Sequence, residues 1–223
     1  VKRRTDPHLT PEQARRVYDR IGRLQDAQAV YEHRAIAELL ARADFEHASA
    51  VFELGHGTGA LAARLLARLP AEGRYVGIDI SPKMHALAGR RLQGQRGHAE
   101  LYLTAGSLYL GFDGASFDRF VSAYVLDLLS EQDIDLALRE AHRLLRPRGL
   151  LCLVSLTFGA TAAARGVTRL WQTIWSLRPA LVGGCRPIEL GHRLRPDLWT
   201  IRGDTVVTTI GISSEVLVAV KAG

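Results

Sequence analysis

The sequence predicts an α/β fold: a seven-stranded, mostly parallel sheet with helices on both faces and an antiparallel hairpin at its C-terminal end. Three observations carry this prediction. Short apolar runs alternate with helix-like stretches from Ala50 to Leu156, the pattern of a covered parallel sheet. Those runs are nearly continuous in apolar residues, as strands buried on both faces must be. Two more β-rich runs, 205–211 and 214–220, follow with only residues 212–213 between them, which reads as a hairpin at the sheet edge.

Each element has its own local signal. Residues 1–9 read as a basic tail. Thr10-Pro11-Glu12-Gln13 opens a helix, with Thr as N-cap, Pro in the first turn and Gln placed for a capping box. Helical patterning continues to about Ala43, with a break near Gly22. Strands over 51–54, 75–79, 100–104, 117–122 and 150–156 then alternate with helices over 59–68, 82–92 and 131–145. Ser81-Pro82 is a second cap and first-turn pair, and Arg146-Pro147-Arg148-Gly149 stops a helix before the fifth strand. Residues 158–178 carry Trp171, Ile174 and Trp175 at helical spacing, and an irregular stretch with Pro and Gly fills 179–198.

A chain of 223 residues suits one domain with a small appendage, and 47% hydrophobic with 23% charged residues is a globular composition. Cys152 and Cys185 are too few for a disulfide framework, so reduced thiols and a cytoplasmic setting are expected. Polar residues follow Val1-Lys2-Arg3-Arg4 where a signal peptide would be apolar. No run approaches about 18 uninterrupted apolar residues, which argues against a membrane span. The formal charge is +6, and from residue 138 onward twelve Arg or Lys face five Asp or Glu. This basic third suits an anionic substrate, an acidic membrane surface or nucleic acid. The alternative is a solvated Arg-rich surface, since Arg outnumbers Lys 26 to 3 across the chain.

The most informative segment is Val51-Phe52-Glu53-Leu54-Gly55-His56-Gly57-Thr58-Gly59. It ends the first strand and opens the next helix. Glycines there permit a tight turn and close backbone approach to a ligand, and the helix N-terminus presents N–H groups to an anion. One strand later Gly77-Ile78-Asp79 sets a carboxylate where it can hold two ribose hydroxyls. This is a nucleoside-cofactor site at the first switch point. Gly55-x-Gly57-x-x-Ala60 also satisfies a dinucleotide fingerprint, so an NAD-binding dehydrogenase stays open.

Glu53, the third glycine at Gly59 and the C-terminal hairpin tilt the balance. At these residues the chain resembles the class I S-adenosylmethionine (SAM)-dependent methyltransferases. The E-x-G-x-G-T-G loop is similar to the family's first motif, and Val76-Gly77-Ile78-Asp79-Ile80-Ser81-Pro82-Lys83-Met84 to its second. Ser116-Phe117-Asp118 resembles the start of the fourth strand, and Leu138 to Gly149 the approach to the fifth. The resemblance implies a Rossmann-like fold, with 1–49 as a helical lid, 50–156 as the SAM-binding core, and 157–223 as a substrate-side insertion and hairpin completing the same domain.

Carried over by position, Glu53 and the backbone of Gly55, His56, Gly57 and Gly59 lie against the methionine moiety, with His56 mainly a spacer. Asp79 binds the ribose diol, and Ile80 and Met84 sandwich the adenine, Met84 being core packing otherwise. The family often has an acid at the end of strand three. Here that slot is Gly106, with the hydroxyl of Ser107 as substitute. The acceptor approaches over strands one and four, at Ser122-Ala123-Tyr124-Val125-Leu126-Asp127. Tyr124 either orients an acceptor, offers its ring to a cation, or merely lines the site. Asp127 is either a base or ammonium anchor, or the solvent face of a short helix. Related enzymes fold an N-terminal helix over the cofactor, which makes Tyr18 and Tyr31 lining candidates. Trp171 and Arg186 follow from the later insertion, Arg186 as an anion anchor or a structural pair, Trp171 as core or substrate contact.

No N/D-P-P-Y/F follows strand four and Cys152 is in no Pro-Cys pair, which disfavours methylation of nucleic-acid bases; no nucleic-acid partner is expected. No ligand set with metal spacing is present, so no metal is expected. A small-molecule acceptor, polar or anionic, is the first expectation. A phospholipid or quinone acceptor, with peripheral contact at the inner membrane face, is the second; Tyr18-Asp19 is shared with that branch. A nonenzymatic SAM-binding protein is the alternative of another class.

Overall fold

The structure is a computed structural model that describes residues 9–21, 29–95, 98–159 and 161–222. The break expected near Gly22 falls outside the described residues. The capping box forms: Thr10 N–H donates to Gln13 Oε1 at 2.9 Å and Gln13 N–H to Thr10 Oγ1 at 3.3 Å. Helix α1 (Pro11–Ile21) follows, then α2 (Ala29–Arg42). The alternating core comprises β1 (Ala50–Leu54), α3 (Ala60–Leu66), β2 (Arg74–Asp79), α4 (Pro82–Leu92), β3 (His98–Leu103), β4 (Phe117–Ala123), α5 (Glu131–Leu144) and β5 (Leu145–Leu156). Helix α6 (Ala162–Leu177) and the hairpin β6 (Trp199–Thr209) and β7 (Ile212–Lys221) complete the chain.

The sheet order is β3-β2-β1-β4-β5-β7-β6, parallel through β5 and antiparallel at β7 and β6. β1 is fully buried, as its composition requires, and its side chains alternate between two cores. Phe52 and Leu54 join α5 on one face; Val51 joins α2, α3 and α4 on the other. The chain winds outward from β1 to β3 and returns to β4 beside β1, so the connections leaving the paired C-terminal ends of β1 and β4 run to opposite sides and leave a crevice.

Several boundaries differ from the sequence expectation: β6 begins at Trp199 rather than 205 and α3 is shorter than 59–68, and the hairpin turn and β5 depart most. The hairpin turns at Ile210-Gly211, both with positive φ (51° and 79°), while residues 212–213 already belong to β7. A two-residue turn of this hand needs positive φ at both positions, and Gly211 supplies one without strain. β5 starts at Leu145, paired with Phe117, then bulges through Arg146–Gly149 and resumes with Leu150 opposite Arg119.

Asp118 fastens the base of this core, accepting from Ser49 N–H (2.7 Å), Ser49 Oγ (2.6 Å) and Ala50 N–H (2.8 Å). Beside it, the buried Arg119 guanidinium donates to the carbonyls of Ala43 and Asp44, each at 2.7 Å, closing the C-terminal end of α2. Arg119→Met keeps the bulk but strands those carbonyls. It should cost about 2 kcal/mol and lower Tm by roughly 4–8 °C, read by thermal denaturation.

Candidate cofactor and acceptor site

A cavity of about 450 Å³ opens at the C-terminal ends of β1, β2 and β4, within the range of small-molecule sites. Its floor is the glycine loop. Gly55 and His56 N–H both donate to Ile78 O (2.9 and 3.0 Å), which bends the chain off β1. Gly55 has φ +78°, and a Cβ there would lie 2.3 Å from Val125 Cγ2, so only glycine fits. Asp79 holds the loop from the next strand. Its Oδ2 accepts Gly57 N–H at 2.9 Å and its Oδ1 accepts Ser81 N–H at 2.8 Å.

Ser81 extends this string. Its Oγ accepts Met84 N–H at 3.1 Å, the cap expected for α4, and donates to Asp19 Oδ1 of α1 at 2.6 Å. Helix α1 therefore lies against the cavity, contributing Pro11, Ala14 and Tyr18 to its wall. Gly106 explains the departure at the end of β3. With φ +93°, a Cβ there would come within 2.9 Å of Pro11 Cβ. An acid in that slot would push α1 away, so its absence accompanies the close approach of the helix. Ser107 is exposed at the cavity rim and its Oγ accepts Tyr109 N–H at 3.2 Å.

Glu53 is 2% exposed and accepts a short hydrogen bond from Tyr75 Oη. Burial pushes its carboxyl up to about 8, more than the bond from Tyr75 pulls it down. His56 also lines the cavity. Its Nδ1–H donates to Gly57 O at 2.9 Å, and burial lowers its affinity for a second proton. Ile80, Met84 and Leu108 give the cavity an apolar slot near Asp79.

The acceptor-side residues distribute unevenly. Tyr124 and Tyr18 line the cavity. Tyr124 sits at φ +55°, an unusual conformation for an aromatic residue, held by an Oη to Ser214 Oγ bond of 2.8 Å. Tyr31 stands behind it, edge-on at 6.1 Å between ring centroids. Burial raises the pKa of all three phenols above the ordinary value, so they stay protonated at neutral pH. The wall also contains residues that the sequence did not single out: Glu32, His33 and Ile36 from the start of α2. The signal available was the i, i+4 pair Glu32–Ile36, which shares a helix face leading to the buried Leu39 and Leu40.

With Tyr31, six of the expected site residues stand off the cavity lining. Asp127 is fully buried, neither surface base nor solvent face. Its Oδ2 accepts Leu156 N–H at 3.1 Å and its backbone carbonyl accepts Arg186 N–H at 3.0 Å, which ties the end of β4 to the end of β5. Burial lifts its carboxyl to about 7. Ser122 is buried beneath the floor, and Gly59 precedes α3 and packs on Ala88 of α4. Trp171 Nε1–H donates to Cys185 O at 2.8 Å. Arg186 is no anion anchor of this cavity. Its guanidinium donates to Leu129 O and pairs with Glu131 at 3.0 Å, a partner 55 residues away that no local pattern announces.

Two carboxylates, a glycine loop and an apolar slot fit a ligand with a cationic end, a diol and a flat ring, which is the chemistry of SAM. The family model described as a methyltransferase domain matches residues 51–149, the stretch that builds this floor. Residues 51–149 form a methyltransferase domain of the class I SAM-dependent kind. SAM is accordingly its cofactor, and the NAD reading of the glycine loop gives way. Among curated proteins, a 2-phytyl-1,4-naphtoquinone methyltransferase of Nostoc punctiforme is 32% identical over 59% of this chain and 56% of its own. A demethylmenaquinone methyltransferase of Lactobacillus johnsonii is 32% identical over 42% of this chain and 38% of its own. The chain spans 38–60% of the length of the curated relatives it matches. Among solved structures, the [4+2]-cyclase SpnF superposes with TM-score 0.74 at 18% identity, over 96% of this chain and 97% of that one.

The buried Glu53 sets a pH dependence. Its carboxyl titrates near 8 in the folded chain against an ordinary 4.5, so the folded state holds the proton more tightly and this group's share of stability falls as pH rises from about 4.5 to 8. Asp127 acts in the same direction and His56 in the opposite one at lower pH, so the comparison must be with a Glu53 variant. Glu53→Gln should flatten the Tm decline between pH 5 and 8 relative to the parent protein. It should also remove the rise in SAM affinity that a cation brings to an ionising carboxylate. Parallel Tm curves for the two proteins would contradict the assignment.

Proposed function

We propose that this methyltransferase transfers the methyl group of SAM to a small-molecule acceptor that presents an apolar ring, of the quinol class. The observation that carries this reading is the cavity wall formed by Tyr18, Tyr124, Ala123 and Ile36. That wall suits a flat, weakly polar molecule. The naming of the curated relatives as quinone methyltransferases points the same way. An anionic acceptor was expected to use Arg186, and that guanidinium is committed to Glu131 and Leu129.

In this reading Asp79 binds the ribose hydroxyls, Ile80 and Met84 flank the adenine, and Glu53 with the Gly55–Gly57 backbone faces the methionine end. Residues 1–49 act as the lid, 50–156 as the cofactor core and 157–223 as the acceptor-side segment. Bound SAM supplies a methyl group on a sulfonium, already activated for displacement. What remains for the protein is to align the acceptor and exclude water. Tyr124 and Tyr18 do the first through their ring faces, their hydroxyls being engaged by Ser214 Oγ and Gly183 O. Glu32 takes the proton from the acceptor hydroxyl: it lines the cavity and acts electrostatically on Tyr31 and Tyr124. Asp127 serves as a positioning residue beneath them.

The test is transfer of label from methyl-labelled SAM to a short-chain naphthoquinol, with an anionic phenol as comparison. Label should enter the naphthoquinol at least tenfold faster. Glu32→Gln should lower kcat tenfold or more while leaving SAM affinity within twofold. Preference for the anionic phenol would overturn the acceptor class. Absence of transfer to any acceptor, with SAM bound, would assign the cavity to a different reaction.

A further inference from the structure

Helix α6 buries only part of its surface. Ala164 and Thr168 face the protein, and the indoles of Trp171 and Trp175 donate to Cys185 O and Gly184 O at 2.8 and 2.9 Å. Along another side, Val167, Leu170 and Leu177 are 39%, 63% and 76% exposed, and the stripe continues past the helix to Leu181 at 70%. Their spacing of three, seven and four residues, with Ile174 between, makes one continuous face. The β6–β7 turn adjoins it, since a Cβ on Gly211 would lie 3.2 Å from Val167 Cγ2. At the tip of that turn Ile210 is 77% exposed with φ +51°. Asn suits this left-handed position, whereas a β-branched side chain is strained in it. The chain thus holds a large apolar group outward, beside an apolar stripe, against its backbone preference.

The charges carried by α6 and its flanking segments have one sign, with Glu131 and Glu189 lying on the side of Gln172 and Trp175. Residues 158–188 contain Arg165, Arg169, Arg178 and Arg186 and no Asp or Glu; the first three are exposed. We infer that the α6 stripe with Ile210 is a docking face for an anionic lipid bilayer. An apolar strip with basic residues on the same helix is the makeup of an in-plane interfacial element, and arginines near the surface add attraction to acidic headgroups. A two-fold pairing of this face with a second copy would set arginine against arginine with no acid on α6 to relieve it. Among the described residues no helix is long and apolar enough to cross a membrane, so the contact is peripheral.

The face also adjoins the cavity. The Gly183–Cys185 segment held by the two indoles meets Tyr18 Oη (3.4 Å to Gly183 O), and a Cβ on Gly184 would lie 2.7 Å from Leu9 Cδ1. Tyr18 and Leu9 both line the cavity. An acceptor dissolved in the bilayer would therefore meet the site from its own side, although vesicle binding itself does not rest on the acceptor's identity.

The experiment is flotation of the full chain with vesicles of phosphatidylcholine alone and of phosphatidylcholine with phosphatidylglycerol at about 3:1. The protein should float with the anionic vesicles at least tenfold more than with the neutral ones. Leu170→Glu/Leu177→Glu should reduce that binding at least tenfold. Ile210→Asn should weaken vesicle binding while raising Tm, a pair of effects that a merely structural turn residue would not give. S-adenosylhomocysteine binding within twofold of the parent protein verifies that the variants are folded. No flotation with anionic vesicles, or undiminished flotation of both variants, overturns the inference. So does a concentration-dependent dimer in sedimentation velocity that Leu170→Glu/Leu177→Glu abolishes, which would assign the face to a second copy.

Discussion

The site depends on one carboxylate. Asp79 ends the second strand with both oxygens in use, one on the glycine loop through Gly57 N–H and the other on the α4 cap through Ser81 N–H. Ser81 in turn holds Asp19 of α1. Strand, loop, cap and overlying helix are thus joined by a single polar string. Hydrogen bonds to an ionised acceptor are the stronger kind, and such a string is worth more whole than as separate pairs. A diol arriving at Asp79 meets a carboxylate already oriented by two backbone amides, which lowers the ordering needed on binding.

Among the buried acids, Glu53 and Asp127 lie nearest the site, and their surroundings separate their roles. Glu53 faces the cavity, where a cationic ligand would favour its ionised form. Asp127 lies under the wall, where Leu156 N–H and the adjoining Arg186 segment make it a tie between β4 and β5. Isolated buried charge is expensive, and both carboxyls respond by titrating well above the ordinary range. Only the first can recover that cost through a ligand. This distinction is why we propose Glu32, which lines the cavity at the start of α2, as the acceptor-side base.

Much of the fold was legible because its signals are local. Apolar runs, the Thr10–Gln13 box, the Ser81-Pro82 cap and the Gly55-x-Gly57 turn are each specified within a few residues, and the cofactor floor is assembled from such pieces. The acceptor side was not legible because its contacts are long-range. Tyr124 meets Ser214 90 residues away, and Tyr18 meets the Cys185 segment 167 residues away. Asp127 shows the ambiguity at its sharpest: an acid in an apolar run looks the same in sequence whether it faces a ligand or braces a strand. The hairpin was shifted by two residues because Ile210 is a β-former by type and a turn residue by conformation. Gly106 was legible as a departure, but its reason, the approach of Pro11, needed three dimensions.

The most direct test of the Asp79-centred account is calorimetric titration of S-adenosylhomocysteine and, separately, NAD into the parent protein and Asp79→Asn. The account predicts binding of S-adenosylhomocysteine but not NAD by the parent protein, and at least tenfold weaker binding by the variant, about 1.4 kcal/mol or more. Equal affinity in the two proteins, or a preference for NAD, would contradict it.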